Sequence, residues 1–240
     1  MKNYLVKSLF RVVNPNWLVH DRSHESDMYD NYLAMHQISV ESFQKHLGGE
    51  WEMIFISGDV DNINQAFEKT FWTVYELWHR EPCNILYTDP DTVAINTVDI
   101  WNQFDKFMMF NHTDPRQFNT ENTYNRQFEN FFNAGVRYFP HTMFESTWEL
   151  GAAMAQNWDH RTYDTEQIIL NSMLWDQGVT LEQVLRPDIA YQAQWLPSAN
   201  IALQNHWNGI DINHSKIIHV HGSRNSKIKL QLMKHLTGTI

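Results

Sequence analysis

The chain has 240 residues, of which 42% are hydrophobic and 14% aromatic, so it can bury a sizeable core. A formal net charge of −10 argues against a nucleic-acid-binding surface, because such a surface needs clustered Lys and Arg to neutralise phosphates. The single cysteine, Cys83, excludes an intrachain disulfide and a thiolate zinc cluster. We expect one compact domain spanning residues 1–240.

The N-terminal residues 1–13 include two lysines and an arginine, and so lack the continuous apolar stretch of a signal peptide. No segment approaches the ~20 apolar residues that cross a bilayer. These features predict a cytoplasmic protein. The C-terminus is locally basic at Lys227, Lys229, Lys234 and His235, and a peripheral contact with a membrane surface stays open as an alternative.

The first half of the chain alternates strand-like and helix-like segments. Strands are predicted at residues 5–13, 51–56 and 84–87, with the second closed by residues 57–59. Helices are predicted over residues 28–47 and from Ile63 to the stop at Pro82. The apolar stripes of the two helices are Tyr29, Leu33, Val40, Phe43 and Leu47, then Ile63, Phe67, Phe71, Val74, Tyr75 and Trp78. This order predicts a parallel sheet covered on both faces, with ligands bound at the carboxyl ends of its strands.

The second half is less regular. Strands are predicted at residues 106–110, 131–139 and 216–221, and residues 111–130 form a polar loop. Capping signals at Thr142 and Asp164 predict two further helices, the second of which ends near Gly178.

Asp89-Pro90-Asp91 directly follows the predicted strand 84–87 and forms a D-x-D pattern. Two carboxylates one residue apart can converge on Mg2+ or Mn2+, and substrate phosphates usually complete such a site. The alternative is a solvated turn in which Asp89 caps the next segment.

His219 and His221 alternate along a strand and therefore share one face. Gly222 follows, and a glycine at a strand end lets backbone N–H groups approach phosphate oxygens. Arg224 and Lys227 could add charge-assisted contacts. The alternatives are a polar rim without a ligand, or zinc binding by the two histidines.

Two other short segments qualify as candidates. Asn133-Ala134-Gly135 places a glycine within an aromatic strand, which marks either a close approach by a ligand or a bulge. Glu166-Gln167 begins an apolar helical segment, where Glu166 could simply stabilise the positive end of the helix.

Four segments in chain order resemble one enzyme family. ILYTDPDTVAI, FFNAGV, EQIILN and HVHGSRNSK are similar to conserved motifs of GT-A-fold glycosyltransferases, specifically the family of glycogenin and the bacterial lipopolysaccharide galactosyltransferases (glycosyltransferase family 8). The resemblance covers residues 80–230. It implies a single α/β domain with a GT-A (Rossmann-like) fold, in which a mainly parallel sheet is flanked by helices. Residues 1–110 would bind the nucleotide and 111–240 would form the acceptor side.

The resemblance also implies roles for single residues. Asp89 would bridge ribose and metal, and Asp91 and His219 would complete the metal site, with His221 on the same face as the alternative to His219. The Gly222 backbone would meet the diphosphate. Asn133, Ala134 and Gly135 would line the donor-sugar pocket. Gln167, next to Glu166, would face the reacting centre. The chain departs from the family at Asn225, where the motif has lysine, so Lys227 or Arg224 would serve instead.

The expected activity is metal-dependent transfer of a sugar from a nucleotide diphosphate, with UDP the expected nucleotide, to the hydroxyl of a glycan, lipid or protein acceptor. The resemblance further implies retention of anomeric configuration. Two alternatives remain: a nucleotidyltransferase that makes sugar nucleotides, and a non-catalytic homologue that binds sugar nucleotides or glycans. The first lacks support in residues 14–17, which contain no glycine for a phosphate-binding loop.

Overall fold

The computed structural model of the chain describes residues 1–13, 28–110, 133–142, 167, 169–171, 190–196, 202–204, 215–220 and 225–239. Several predictions concern residues outside these ranges: the loop at 111–130, both helices predicted after residue 142 apart from residues 167 and 169–171, and the candidates Glu166, His221, Gly222 and Arg224.

The described strands are Lys2–Val12 (β1), Glu52–Val60 (β2), Cys83–Thr88 (β3), Thr92–Ala94 (β4), Met108–Phe110 (β5), Asn133–Phe139 (β6), Ala190–Leu196 (β7), Ala202–Gln204 (β8) and Ile217–Val220 (β9). The described helices are Met28–His46 (α1), Ile63–Arg80 (α2) and Ser226–Thr237 (α3). Gln167 and residues 169–171 are also helical. Each described helix is too short or too polar to cross a membrane.

The main sheet has the described strands in the order β2-β1-β3-β6-β5. Strands β2, β1 and β3 are parallel, as predicted, because each is joined to the next by a helix that crosses over the sheet. Strand β6 is antiparallel to β3, and β5 is antiparallel to β6. Four of these five strands therefore point the same way, and the prediction of a mainly parallel sheet with flanking helices is confirmed.

The predicted end of the second strand is wrong. We expected Ser57-Gly58-Asp59 to close it, but β2 continues to Val60. Its parallel pairing with β1 extends through Gly58 and Asp59 to Val60. An ion pair between Arg11 and Asp59 also joins the two strands, with Nη2 and Oδ2 2.7 Å apart. The interstrand contacts therefore override the local turn signal.

The helices α1 and α2 belong to different hydrophobic clusters of the sheet. Helix α2 begins at the N-cap Asn62, whose side chain accepts a hydrogen bond from the Gln65 amide, and it buries Phe71, Val74 and Trp78. Ile63, Phe67 and Tyr75 of its predicted stripe are only half-buried. Helix α1 contributes Phe43 to the cluster that contains Leu5 and Leu86. The predicted stripe of α1 is wrong at Leu33, which is 47% exposed.

A second described sheet has the order β4-β9-β7-β8, with β4 antiparallel to β9 and β9 parallel to β7. Its strand β9 lies within the predicted strand 216–221. Helix α3 joins this sheet and α1 in a third hydrophobic cluster, to which Met35, Val93, Ile218, Val220, Leu232 and Met233 belong. The turn that separates β3 from β4, residues 89–91, links the two sheets.

Candidate metal centre and its surroundings

The Asp89-Pro90-Asp91 turn lies at the carboxyl end of β3 and is fixed by three hydrogen bonds. The Asp89 amide donates to the carbonyl of Gly135 over 2.8 Å, and the Val220 amide donates to the carbonyl of Asp91 over 2.8 Å. The Thr92 hydroxyl donates to the carbonyl of Asp89 over 2.6 Å. Strands β4, β6 and β9 thus hold this turn in one conformation.

His219 comes to this turn through sheet register. Residue 219 on β9 pairs with Thr92, the residue directly after Asp91. Its Nε2 atom lies 3.2 Å from Asp91 Oδ1 and 3.8 Å from Asp89 Oδ2. One potential ligand atom from each of these three residues lies within 4.8 Å of the others, so the predicted metal ligands are brought together. The donor set fits a divalent cation, because carboxylate oxygens suit Mg2+ and Mn2+ and imidazole suits transition metals.

Gly135 is necessary for the position of His219. A Cβ atom on residue 135 would lie 2.4 Å from His219 Cε1 and 2.7 Å from its Nδ1. The Gly135 amide donates to Asn133 Oδ1 over 2.7 Å. Because β6 is antiparallel to β3, its amino end lies at the same edge as the carboxyl end of β3. Topology therefore brings the candidates Asn133, Ala134 and Gly135 to the candidate metal centre.

Gln167 also lies at this edge of the sheet. Its Oε1 atom accepts a hydrogen bond from the Ala134 amide over 3.0 Å. The Asn171 side chain donates to the Gln167 carbonyl over 2.7 Å, one helical turn away. Gln167 is therefore hydrogen-bonded to β6, the strand whose Gly135 contacts both His219 and Asp89.

Lys229 is a residue of the site that the sequence analysis missed. Its Nζ lies 2.6 Å from Asp91 Oδ2 and 3.3 Å from the hydroxyl of Tyr32. Asn225, where the family motif has lysine, is instead the N-cap of α3, and its side chain accepts from the Ile228 amide. The candidate Lys227 is exposed. Lys229 could have been found because it lies three and four residues before Leu232 and Met233, on the buried stripe of α3.

Lys7 is a second missed residue, located beneath the turn. It is fully buried in the middle of β1, and its Nζ donates to the hydroxyls of Ser39 and Thr88 over 2.6 and 2.5 Å. Its distance to the Thr92 hydroxyl is 3.5 Å. Thr88 and Thr92 flank the Asp89-Pro90-Asp91 turn. The signal in the sequence is a lysine in the centre of an apolar strand.

Asp89 is oriented by a chain of hydroxyl groups. The Tyr87 hydroxyl donates to Asp89 Oδ1 over 3.0 Å and lies 2.8 Å from the Ser8 hydroxyl. The Arg137 guanidinium lies over the Tyr87 ring, with Cζ 4.0 Å from the ring centroid. These contacts fix the Oδ1 side of Asp89 and leave Oδ2 on the side of His219.

The two carboxyl groups of the turn differ in electrostatics. Burial alone would raise the pKa of Asp91, but the neighbouring Lys229 and His219 lower that pKa well below its ordinary value. Desolvation raises the pKa of Asp89; His219 opposes this rise and the charge of Asp91 adds to it. Burial lowers the pKa of Lys7 to about 7 despite the opposing effect of both aspartates. Asp91 is therefore the carboxylate that stays ionised most readily.

Known proteins resemble this chain in structure. It superposes with TM-score 0.51 and 13% sequence identity on the galactosyltransferase LgtC in complex with donor and acceptor sugar analogs, over 99% of this chain and 96% of that one. An active-site mutant of LgtC, with a glutamine replaced by glutamate, matches with TM-score 0.51 and 15% identity over 98% and 95% of the chains.

A glycosyltransferase involved in the glycosylation of the major capsid of PBCV-1 matches with TM-score 0.53 and 11% identity, over 98% of this chain and 100% of that one. No protein-family model and no curated protein matches the sequence. The similarity is therefore one of fold, and the chain adopts the GT-A glycosyltransferase fold that its sequence motifs predicted.

Proposed function

We propose that the protein is a metal-dependent glycosyltransferase that moves a sugar from a nucleotide diphosphate, with UDP the expected nucleotide, to an acceptor hydroxyl. The observation that carries the proposal is the convergence of Asp89, Asp91 and His219 in this fold. These residues come from two strand ends that are far apart in sequence, at the edge of the sheet where α/β proteins bind ligands. A solvated Asp-rich turn would not require a buried histidine beside both carboxylates.

The three residues would hold the cation through one atom each: Asp89 Oδ2, Asp91 Oδ1 and His219 Nε2. We favour Mn2+ over Mg2+, because imidazole is a better ligand for a transition metal. When bound, the cation would supply positive charge to the diphosphate as the glycosidic bond breaks. Lys229 would add a second positive charge at the same edge, a role that we first expected for Lys227 or Arg224.

The donor sugar would lie against Asn133, Ala134 and Gly135. Gln167, which accepts a hydrogen bond from the Ala134 amide, would face the reacting centre, with Glu166 next to it in sequence. LgtC, which has the same fold, also has a glutamine in its active site. Gly222 would contribute its backbone N–H to the diphosphate. Residues 111–240 would recognise the acceptor, and we expect anomeric configuration to be retained.

A donor-turnover assay tests the proposal. The full chain should hydrolyse or transfer sugar from a UDP-sugar in the presence of Mn2+, and EDTA should abolish the reaction. The Asp91→Asn variant should lose activity by at least about 100-fold, because one charged ligand becomes neutral. The matched control is Asp99→Asn, an exposed aspartate in the segment after β4. Full activity of Asp91→Asn would defeat the proposal.

The same assay separates the alternatives. Release of pyrophosphate from UTP and a sugar phosphate would indicate a nucleotidyltransferase. Tight binding of UDP without turnover of any donor would indicate a binding protein.

A further inference from the structure

We propose that Lys229 is a built-in cation that competes with the divalent metal ion for Asp91, so that the metal has to share this carboxylate with an ammonium group. The inference rests on the proposed function, since it concerns the same metal site. Lys229 lies outside the four sequence motifs, because HVHGSRNSK ends at Lys227. Its role follows from the geometry of this chain.

The two oxygens of Asp91 have different neighbours. Oδ1 lies 3.2 Å from His219 Nε2, on the side where Asp89 and His219 offer their ligand atoms. Oδ2 lies 2.6 Å from Lys229 Nζ, which also donates to the hydroxyl of Tyr32. A cation held through Oδ1 therefore binds a carboxylate whose negative charge the ammonium already balances. Two positive charges on one buried carboxylate repel each other strongly, because little water screens them.

The surrounding contacts keep Lys229 in this position. The residue is 8% exposed and lies in the first turn of α3. Helix α3 is attached to α1 by a hydrogen bond from Asn31 Nδ2 to the Ser226 hydroxyl, 2.8 Å long, and by the buried side chains of Leu232 and Met233. These contacts do not involve the ammonium group. Replacement of Lys229 should therefore remove the charge and leave α3 folded.

The position is electrostatically unfavourable without a nearby anion. Cations are disfavoured at the positive end of a helix, and the first turn of α3 contains no acidic residue. Asp91 compensates the charge of Lys229 in the absence of ligands. When a metal ion neutralises Asp91, the ammonium group of Lys229 loses the negative charge that balances it. A bound diphosphate would supply a new negative charge to balance Lys229. Metal alone should thus bind weakly, and metal with a nucleoside diphosphate should bind much more tightly.

Calorimetric titration of the full chain with Mn2+ tests this inference without measuring activity. In the absence of nucleotide, Lys229→Met should bind Mn2+ at least about tenfold more tightly than wild type. Lys229→Arg, which keeps the charge, should stay close to wild type. The matched control is Lys234→Met, which removes a lysine from the last turn of the same helix and should change nothing. Addition of UDP should tighten Mn2+ binding by a larger factor in wild type than in Lys229→Met.

Every outcome bears on the inference. Equal or weaker Mn2+ binding by Lys229→Met overturns it and leaves the proposed function intact, provided that wild type binds Mn2+ and UDP. Should the methionine variant fail to fold, Lys229→Gln takes its place, because its amide can still donate to Asp91 without a charge. Mn2+ binding by the variant but not by wild type, with or without UDP, supports the inference and contradicts a metal-dependent wild-type enzyme. Absence of Mn2+ binding in all variants overturns both.

Discussion

The imidazole of His219 occupies the space in which a side chain on residue 135 would begin. A Cβ atom there would lie 2.4 Å from His219 Cε1, which is closer than Cβ atoms pack in proteins. Glycine is required here because the imidazole approaches the backbone closely. The backbone conformation does not require it, since Gly135 lies within the regular strand β6. Glycine at 135 therefore determines where a proposed metal ligand can lie.

Gly135→Ala should displace His219 and weaken Mn2+ binding by at least about tenfold, with a loss of about 1–3 kcal/mol in unfolding free energy from overpacking. Calorimetry with Mn2+ and urea unfolding measure the two effects. Gly48→Ala is the matched control, since its Cβ would meet only the Val98 carbonyl at 3.5 Å. Unchanged Mn2+ affinity in Gly135→Ala would show that His219 is not a metal ligand.

Tyr87→Phe should weaken Mn2+ binding by about tenfold, because Asp89 Oδ1 loses the hydroxyl that orients it. The variant should also lose about 1 kcal/mol of stability. Tyr138→Phe is the control: its buried hydroxyl accepts from the Asn102 amide instead, so it should lower stability but not Mn2+ affinity. Equal Mn2+ affinities in both variants would contradict a positioning role for Tyr87.

The parallel part of the sheet and its Asp-Pro-Asp turn could be predicted because their signals are local. Strand β3 is buried along its whole length, and its apolar residues Ile85, Leu86 and Tyr87 lie just before the turn. Helix α2 has a capping residue, Asn62, and is followed by Pro82. Both signals lie within a few residues of the structure they specify.

The buried face of α1 could be predicted only in part from hydrophobicity: Phe43 is buried as expected, but other positions differ. Ser39 and Ser42 are buried, whereas Leu33 is exposed. The reason is that α1 covers polar groups of the site: Ser39 contacts Lys7, and the Ser42 hydroxyl accepts from the Ala94 amide. An apolar stripe predicts a helix face that packs on apolar residues, and it fails where a helix packs beside polar ones.

The two lysines of the site were missed for a related reason. Lysine is ordinarily solvated, and its burial depends on partners that sequence proximity does not reveal. Lys229 and its partner Asp91 are separated by 138 positions. Their contact exists because β4, β9 and α3 pack together, which is a tertiary property.

Gln167→Ala should lower the rate of sugar transfer by at least about tenfold while Mn2+ and UDP affinities stay close to wild type. The side chain is tied to the Ala134 amide, at the donor-sugar side of the proposed site, and not to the metal ligands themselves. Steady-state kinetics and UDP titration give the two readouts. Gln37→Ala, an exposed position on α1, serves as the control. If Gln167→Ala transfers sugar at the wild-type rate, Gln167 takes no part in the reaction.

Lys7 should make stability depend on pH in a defined window. Burial lowers its pKa to about 7, against an ordinary pKa of 10.5 that the unfolded chain retains. Between these values the unfolded chain binds more protons than the folded one, so the penalty for burying Lys7 decreases as pH rises. The unfolding free energy of wild type minus that of Lys7→Met should therefore increase by about 1.4 kcal/mol per pH unit between about pH 7.5 and 9.5.

Urea unfolding in EDTA at several pH values measures this difference, in which titrations common to both proteins cancel. Lys2→Met is the matched control, because Lys2 is an exposed residue of the same strand, and its hydrogen bond to Glu81 raises its pKa. Lys2 is therefore charged in both the folded and the unfolded state across this pH window. The unfolding free energy of wild type minus that of Lys2→Met should not change with pH. If the difference in unfolding free energy between wild type and Lys7→Met is also independent of pH, the folded protein keeps Lys7 protonated. The Asp89–Asp91 turn would then rest on a buried positive charge, which would repel a metal ion in the same way as Lys229.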